Sequence, residues 1–320
     1  MSRIFWIDTD MGSDDAVALI MALRADDVNV IGISTLSGNV PLKQAANNAR
    51  FVAELCGSDV PVYAGADKPL LRPYVDATWF HGEDGLSGYA QMPHIPPQTQ
   101  HAVDALIQAA ETHPNLIIVT LGPLTNIALA IARAPHIIPN IARCIVMGGA
   151  AASYGNVTPS AEYNIWVDPE AARMVFLSGL PVEMVGWEFC YGDYALNDDE
   201  MAQIRAVDTP LAHFVVDCNQ VAIEAYREQT GERGLSLPDG VAMAIALDQS
   251  IATHQEKHYV EVLLDSDFTR GMTLVDKLNV AEDTRNRHTW AQAIDAGKNV
   301  SVIWDVDVLR WKSLLFSLLN

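Results

Sequence analysis

Basic residues are scarce in this chain: 20 Lys and Arg stand against 40 Asp and Glu, a formal charge of −20. A surface of that sign repels nucleic-acid phosphates and anionic lipid, which argues against nucleic-acid and membrane partners. Heavily phosphorylated small molecules are disfavoured for the same reason, and a neutral ligand fits more readily. Cysteine is limited to Cys56, Cys144, Cys190 and Cys218, with no CxxC spacing. That excludes a zinc knuckle and points to reduced thiols in a cytoplasmic protein. No apolar run approaches the roughly 20 residues needed to span a bilayer. A strand-like run begins at Ile4, so no signal peptide is expected ahead of it. Internal repeats and low-complexity tracts are also absent.

What the chain does have is apolar mass: half of its 320 residues are hydrophobic and only 19% are charged. A sizeable core follows. Strands are expected at residues 4–7, 28–35, 60–64, 116–121, 143–147, 182–185, 260–264 and 300–304. Helices are expected over 16–23, 42–55, 101–112, 122–133, from Asp168-Pro169, over 239–247 and 309–319, with Pro123 opening its helix. Residues 198–226 read as largely helical with a break at Thr209-Pro210, and 150–166 as a loop. The alternation implies an α/β fold, an open and mostly parallel sheet with helices on both faces. Residues 1–320 are expected to form one domain, with a long irregular loop at 67–97 and a possible flap at 228–236.

The densest chemistry lies in residues 3–23, RIFWIDTDMGSDDAVALIMAL. A buried strand runs into a turn and then an apolar helix, and Asp8, Asp10, Asp14 and Asp15 gather at the junction. Crowded like charges repel and raise one another's pKa, a penalty that a bound cation removes. Hard oxygen donors point to Ca²⁺ or Mg²⁺. The plainer alternative is that Asp14 and Asp15 are merely first-turn acids favoured by the helix dipole. An EF-hand is excluded, because Gly12 and Ser13 break its ligand spacing and its last position falls on Leu19. One glycine cannot make a dinucleotide fingerprint, and the match to an Asp-x-Asp phosphatase is weak. In open α/β sheets ligands bind beyond the carboxyl ends of the strands. Asp8, Asp10, Asn39, Leu121 and Met147, with the loop bearing Asn156, Glu162 and Asn164, all fall there. Carboxylates on one wall and amides on another suit a polyhydroxylated ligand.

Seven motifs occur in one order: DTDMGSDDAVAL at 8–19, SGN at 37–39, HGEDGL at 81–86, GPLTNIALA at 122–130, MGG at 147–149, GNVTPSAEYN at 155–164 and DPEAA at 168–172. Together they resemble the inosine-uridine-preferring nucleoside hydrolase family over essentially the whole chain. The resemblance implies a nucleoside hydrolase fold, tightly bound Ca²⁺, and hydrolysis of the N-glycosidic bond of ribonucleosides to ribose and free base. It implies Asp10, Asp15, the Leu121 carbonyl and Asp239 as calcium ligands. Asp14, Asn39, Met147, Asn156, Glu162 and Asn164 would bind ribose, and Asp10 would be the general base activating a calcium-held water. A homodimer or homotetramer acting in ribonucleoside catabolism and purine or pyrimidine salvage is implied as well.

Two departures stand out. Many members carry a histidine immediately before the late-helix aspartate, as proton donor to the leaving base; here Pro238 stands there and cannot donate. His81 is left as a substrate-binding candidate from the long loop, and Trp79, Phe80, Trp187 and Tyr226 could stack on the base. Met11 replaces a common proline and is expected to loosen the turn without removing a ligand. Two other functions compete: a nucleoside- or ribose-binding protein of the same fold with weak turnover, and an Asp-x-Asp phosphatase.

Overall fold

A computed structural model describes residues 2–319. The chain runs through β1 (Arg3–Thr9), α1 (Ser13–Arg24), β2 (Val28–Thr35), α2 (Leu42–Leu55), β3 (Val62–Ala64), α3 (Thr78–His81) and α4 (Ala102–Thr112). Next come β4 (Leu116–Thr120), α5 (Thr125–Arg133), β5 (Ile141–Met147), α6 (Tyr163–Val167), α7 (Pro169–Phe176) and β6 (Val182–Val185). The last third holds α8 (Asp198–Ala206), α9 (Pro210–Asp217), α10 (Gln220–Thr230), α11 (Pro238–Leu247), β7 (Ala252–His258), β8 (Val260–Val262), β9 (Thr273–Val275), α12 (Ala291–Ala296), β10 (Val300–Val306) and α13 (Val308–Leu318).

Eight strands form an open sheet in the order β3-β2-β1-β4-β5-β6-β10-β7, and β8 pairs with β9 separately. Every pairing in the large sheet is parallel except that of β7 with β10. A parallel sheet is covered on both faces, and period-2 alternation deals its side chains to two cores. Phe5 and Ile7 of β1 join α1, α2, α11 and α13 on one side, while Trp6 joins α4, α5 and α7 on the other. From β1 the chain moves outward one way through β2 and β3, then returns to β4 and proceeds the other way. The reversal opens a crevice at the carboxyl ends of β1 and β4, the usual ligand site of such sheets.

Helix α1 is apolar all round, with Ser13 through Ala22 buried, and α11 is buried over its entire length. Such helices belong inside a domain, and these two pack on each other. Their N-termini carry Asp14, Asp15 and Asp239. The other end of α11 is tied by Arg3, whose Nη1 donates to the Ala246 carbonyl at 2.9 Å. Arg143 on β5 makes a two-pronged pair with buried Glu183 on β6, at 2.7 and 2.8 Å.

Several sequence expectations need correction. Pro123 precedes its helix rather than opening it, since α5 starts at Thr125 with Leu124 as its N-cap residue. The stretch 150–166 is not wholly a loop, because α6 occupies its end, capped by the Glu162 carboxylate. Strand β7 was not expected: its sequence ATHQEKH is polar, as suits an edge strand facing water. The segment 228–236 is less free than a flap. Its first three residues complete α10, and Leu235 exchanges two backbone hydrogen bonds with Leu196, at 2.8 and 2.9 Å. Met11 does not loosen its turn either. It is fully buried at φ +51°, its N–H donates to Thr9 Oγ1 at 3.1 Å, and its carbonyl accepts from Asn48 at 3.3 Å.

Candidate active site

The crevice holds a cleft of about 590 Å³, within the usual range for small-molecule sites. Asp14, Asn39, His81, Leu121, Met147, Asn156, Glu162, Asn164 and Asp239 all line it. Asp10 and Asp15 lie beneath, fully buried.

Asp14, Asp15 and Asp239 each bring one carboxylate oxygen to within 4.8 Å of the others. Two helix N-termini stabilise this concentration of charge. The Asp239 backbone N–H serves Asp14, and Asp15 accepts from Gly12 N at 2.8 Å and Thr9 Oγ1 at 2.5 Å. These bonds do not offset burial. Asp14 is pushed up to about 8, first by desolvation and then by Asp15; Asp15 and Asp239 are raised too, both chiefly by desolvation. Asp14 Oδ1 is buried without a partner. Unpaired buried oxygen among like charges is the environment that a hard divalent cation relieves, so the cluster fits a metal.

Asp10 lies beside this trio rather than within it. Its Oδ2 accepts from Asn39 N at 2.7 Å and its Oδ1 from Asn39 Nδ2 at 3.1 Å. Its pKa is raised by desolvation and then by Asp15. Backbone at Gly38 and Gly122 closes on it so tightly that a Cβ would come within 1.9 Å and 2.9 Å of its carboxyl group. Any side chain at Gly38 would therefore displace the carboxylate.

The amide wall is equally constrained. Asn164 Nδ2 donates to the carbonyls of Leu121 at 2.8 Å and Met147 at 3.3 Å. Each carbonyl keeps a second lone pair for another partner. Asn156 Oδ1 accepts from Tyr163 N at 2.9 Å, which leaves its amide N–H groups to donate. Glu162 accepts from the backbone N–H groups of Gly149, Asn164 and Ile165. Burial still raises it to about 7. His81 Nδ1 accepts from Ser13 N at 3.1 Å, so that nitrogen carries a lone pair and the ring proton sits on Nε2. Burial pushes its pKa down to about 3, which makes His81 a neutral hydrogen-bond donor and no strong acid.

Trp79, Phe80 and Trp187 line the cleft with Gln229, Ser236 and Pro238. Trp79 stands exposed at the rim, edge-on to Phe80, while Trp187 is buried and donates through Nε1 to the Tyr191 hydroxyl. Tyr226 stands back from the cleft and stacks on Tyr191. Sequence reasoning missed Thr9, Gln229 and Ser236. Thr9 could have been found between Asp8 and Asp10; the other two carry no local signal.

Comparison with known proteins agrees with this geometry. The sequence model described as inosine-uridine preferring nucleoside hydrolase matches residues 5–312. A pyrimidine-specific ribonucleoside hydrolase of Shewanella woodyi is 37% identical over 319 residues, covering 98% of this chain and 97% of that protein. A plant nucleoside hydrolase structure superposes with a TM-score of 0.90 at 30% identity, over 100% of this chain and 99% of its own. The purine-preferring ribonucleoside hydrolase of Gardnerella vaginalis gives 0.86 at 28% identity, covering 99% and 98%. The chain thus belongs to the inosine-uridine preferring nucleoside hydrolase family and is a ribonucleoside hydrolase, a glycosidase acting on N-glycosyl bonds.

Proposed function

We propose that this chain hydrolyses the N-glycosidic bond of ribonucleosides with Ca²⁺ held by Asp10, Asp15, Asp239 and the Leu121 carbonyl. The single observation that carries the reading is the meeting of the α1 and α11 N-termini, which gathers Asp14, Asp15 and Asp239 within 4.8 Å under a neutral, amide-lined cleft. Bound there, the cation would polarise a water molecule and lower its pKa. Asp10, made more basic by burial and by Asp15, takes the proton of the attacking water. Water oxygen bonds to C1′ as the C1′–N bond breaks, and a proton passes to the departing base. The carboxylates stabilise the oxocarbenium-like charge that develops on the sugar.

Asp14, Asn39, Asn156 and Asn164 grip the ribose hydroxyls, with Met147 and Glu162 completing that wall. Glu162 acts here through α6, since its oxygens already hold three backbone N–H groups. His81 donates to substrate through Nε2. Residues 1–320 act as one hydrolase unit, in keeping with a family match over 5–312. The four free cysteines suit a reducing cytoplasm, where a homodimer or homotetramer would serve ribonucleoside salvage.

Replacing Asp10 by Asn tests the assignment. Turnover of uridine or inosine is expected to fall by about 10²-fold or more, with the fold and Ca²⁺-induced stabilisation largely retained. Turnover within threefold of the wild type would remove Asp10 as the base.

A further inference from the structure

Among the described residues, nine buried side-chain atoms lack a hydrogen-bond partner, and two belong to residues lining the cleft: Asp14 Oδ1 and Ser236 Oγ. Asp14 Oδ1 is accounted for by the acid cluster. Ser236 has no such explanation. A buried hydroxyl left unpaired costs about 1–3 kcal/mol, so its persistence in a ligand cleft needs a ligand atom to complete it.

The position of Ser236 is fixed from both sides. Leu235 is pinned to Leu196 by two backbone hydrogen bonds, and Leu237 and Pro238 lead directly into α11. Residues 235–238 are all buried. The hydroxyl therefore cannot swing out to water without breaking that bridge. Its polar neighbour is the buried thiol of Cys190, at the end of the 3₁₀ turn that begins with Trp187. Sulfur is a weak acceptor, so an oxygen or ring nitrogen would replace it with gain. This contact puts Ser236 on the aromatic side of the cleft, away from the carboxylates and amides that suit sugar hydroxyls.

We propose that Ser236 contacts the base: its O–H donates to a carbonyl oxygen or ring nitrogen of a nucleobase seated beside Trp187. The inference rests on the hydrolase reading and deepens it. Pro238, next but one along the chain, has no proton to give, and His81 is a neutral donor already tied at Nδ1. A neutral hydroxyl cannot fully protonate the leaving base. It stabilises negative charge as that charge grows on the base, before solvent supplies the proton.

The test compares Ser236→Ala with wild type on uridine, inosine and a 4-nitrophenyl riboside, whose leaving group has neither base carbonyl nor ring nitrogen. The kcat/KM ratio of nucleoside to nitrophenyl riboside is expected to fall roughly 3- to 15-fold, the worth of one neutral hydrogen bond. Ser236→Thr, which keeps the hydroxyl, is expected to recover part of that ratio. Thermal stability of Ser236→Ala should match or exceed wild type, since no protein partner is lost. An unchanged ratio overturns the base contact, whether both substrates hold steady or both fall equally. Failure of the wild type to release base from any ribonucleoside would overturn the hydrolase reading itself, and the base contact with it.

Discussion

Removing divalent cations with a chelator should invert the usual pH dependence of stability. In an unfolded chain the carboxyls of Asp8, Asp14 and Glu162 are ionised above about pH 4 to 4.5. In the folded, cation-free protein burial holds Asp8 and Glu162 at about 7 and Asp14 at about 8. Between about pH 5 and 7 the folded state thus binds more protons than the unfolded one. Stability then falls as pH rises through that window, by roughly 1.4 kcal/mol per pH unit for each such proton. One proton alone lowers Tm by about 3 °C per pH unit, at about 2 °C per kcal/mol for a chain of this size. A bound cation keeps the cluster ionised, so its stabilising effect should grow from pH 5 to pH 7.5. Differential scanning calorimetry over that range, with chelator and then with excess Ca²⁺, reads both slopes. A chelated protein that grows more stable towards pH 7, with Ca²⁺ adding the same increment at every pH, would refute the reasoning.

Two further perturbations follow from backbone and packing. Met11→Pro requires φ near −65° where the chain has +51°, and removes the N–H that binds Thr9. It should cost about 3 kcal/mol or more and weaken Ca²⁺ binding, whereas Met11→Gly should keep the turn and lose mainly packing. Equal Ca²⁺ affinity in the two variants, by calorimetric titration, would show that the turn does not need a positive φ. Arg143→Ala strands Glu183, only 6% exposed, and should destabilise by about 3–5 kcal/mol in denaturant unfolding. A loss under 1 kcal/mol would mean that Glu183 finds another partner.

The sequence revealed most where local pattern and burial coincide. Residues 28–35, 42–55 and 182–185 were expected with the boundaries that β2, α2 and β6 have, because apolar periodicity records the covered faces. Strand β7 escaped because an edge strand need not be apolar, and α6 because a five-residue helix capped by Glu162 has too short a period to read. The acidic site divides in the same way. Asp8, Asp10, Asp14 and Asp15 announce themselves by sharing one strand–turn–helix unit. Asp239 is 224 positions beyond Asp15 and meets it only because α1 and α11, both wholly apolar, must pack inside the domain. It was reachable from the sequence through family resemblance alone. The anchoring of Leu235 to Leu196, which turns an apparent flap into a fixed wall, depends on a long-range backbone pairing that neither segment signals.

Product analysis tests calcium-dependent N-glycosidic hydrolysis most directly. Purified protein would be given uridine, cytidine, inosine, adenosine and guanosine, while free base and reducing sugar are followed together. Equimolar release of both from at least one nucleoside is predicted, abolished by chelation and restored by Ca²⁺. Release that persists in chelator would contradict the metal role, and base appearing without free ribose would contradict hydrolysis.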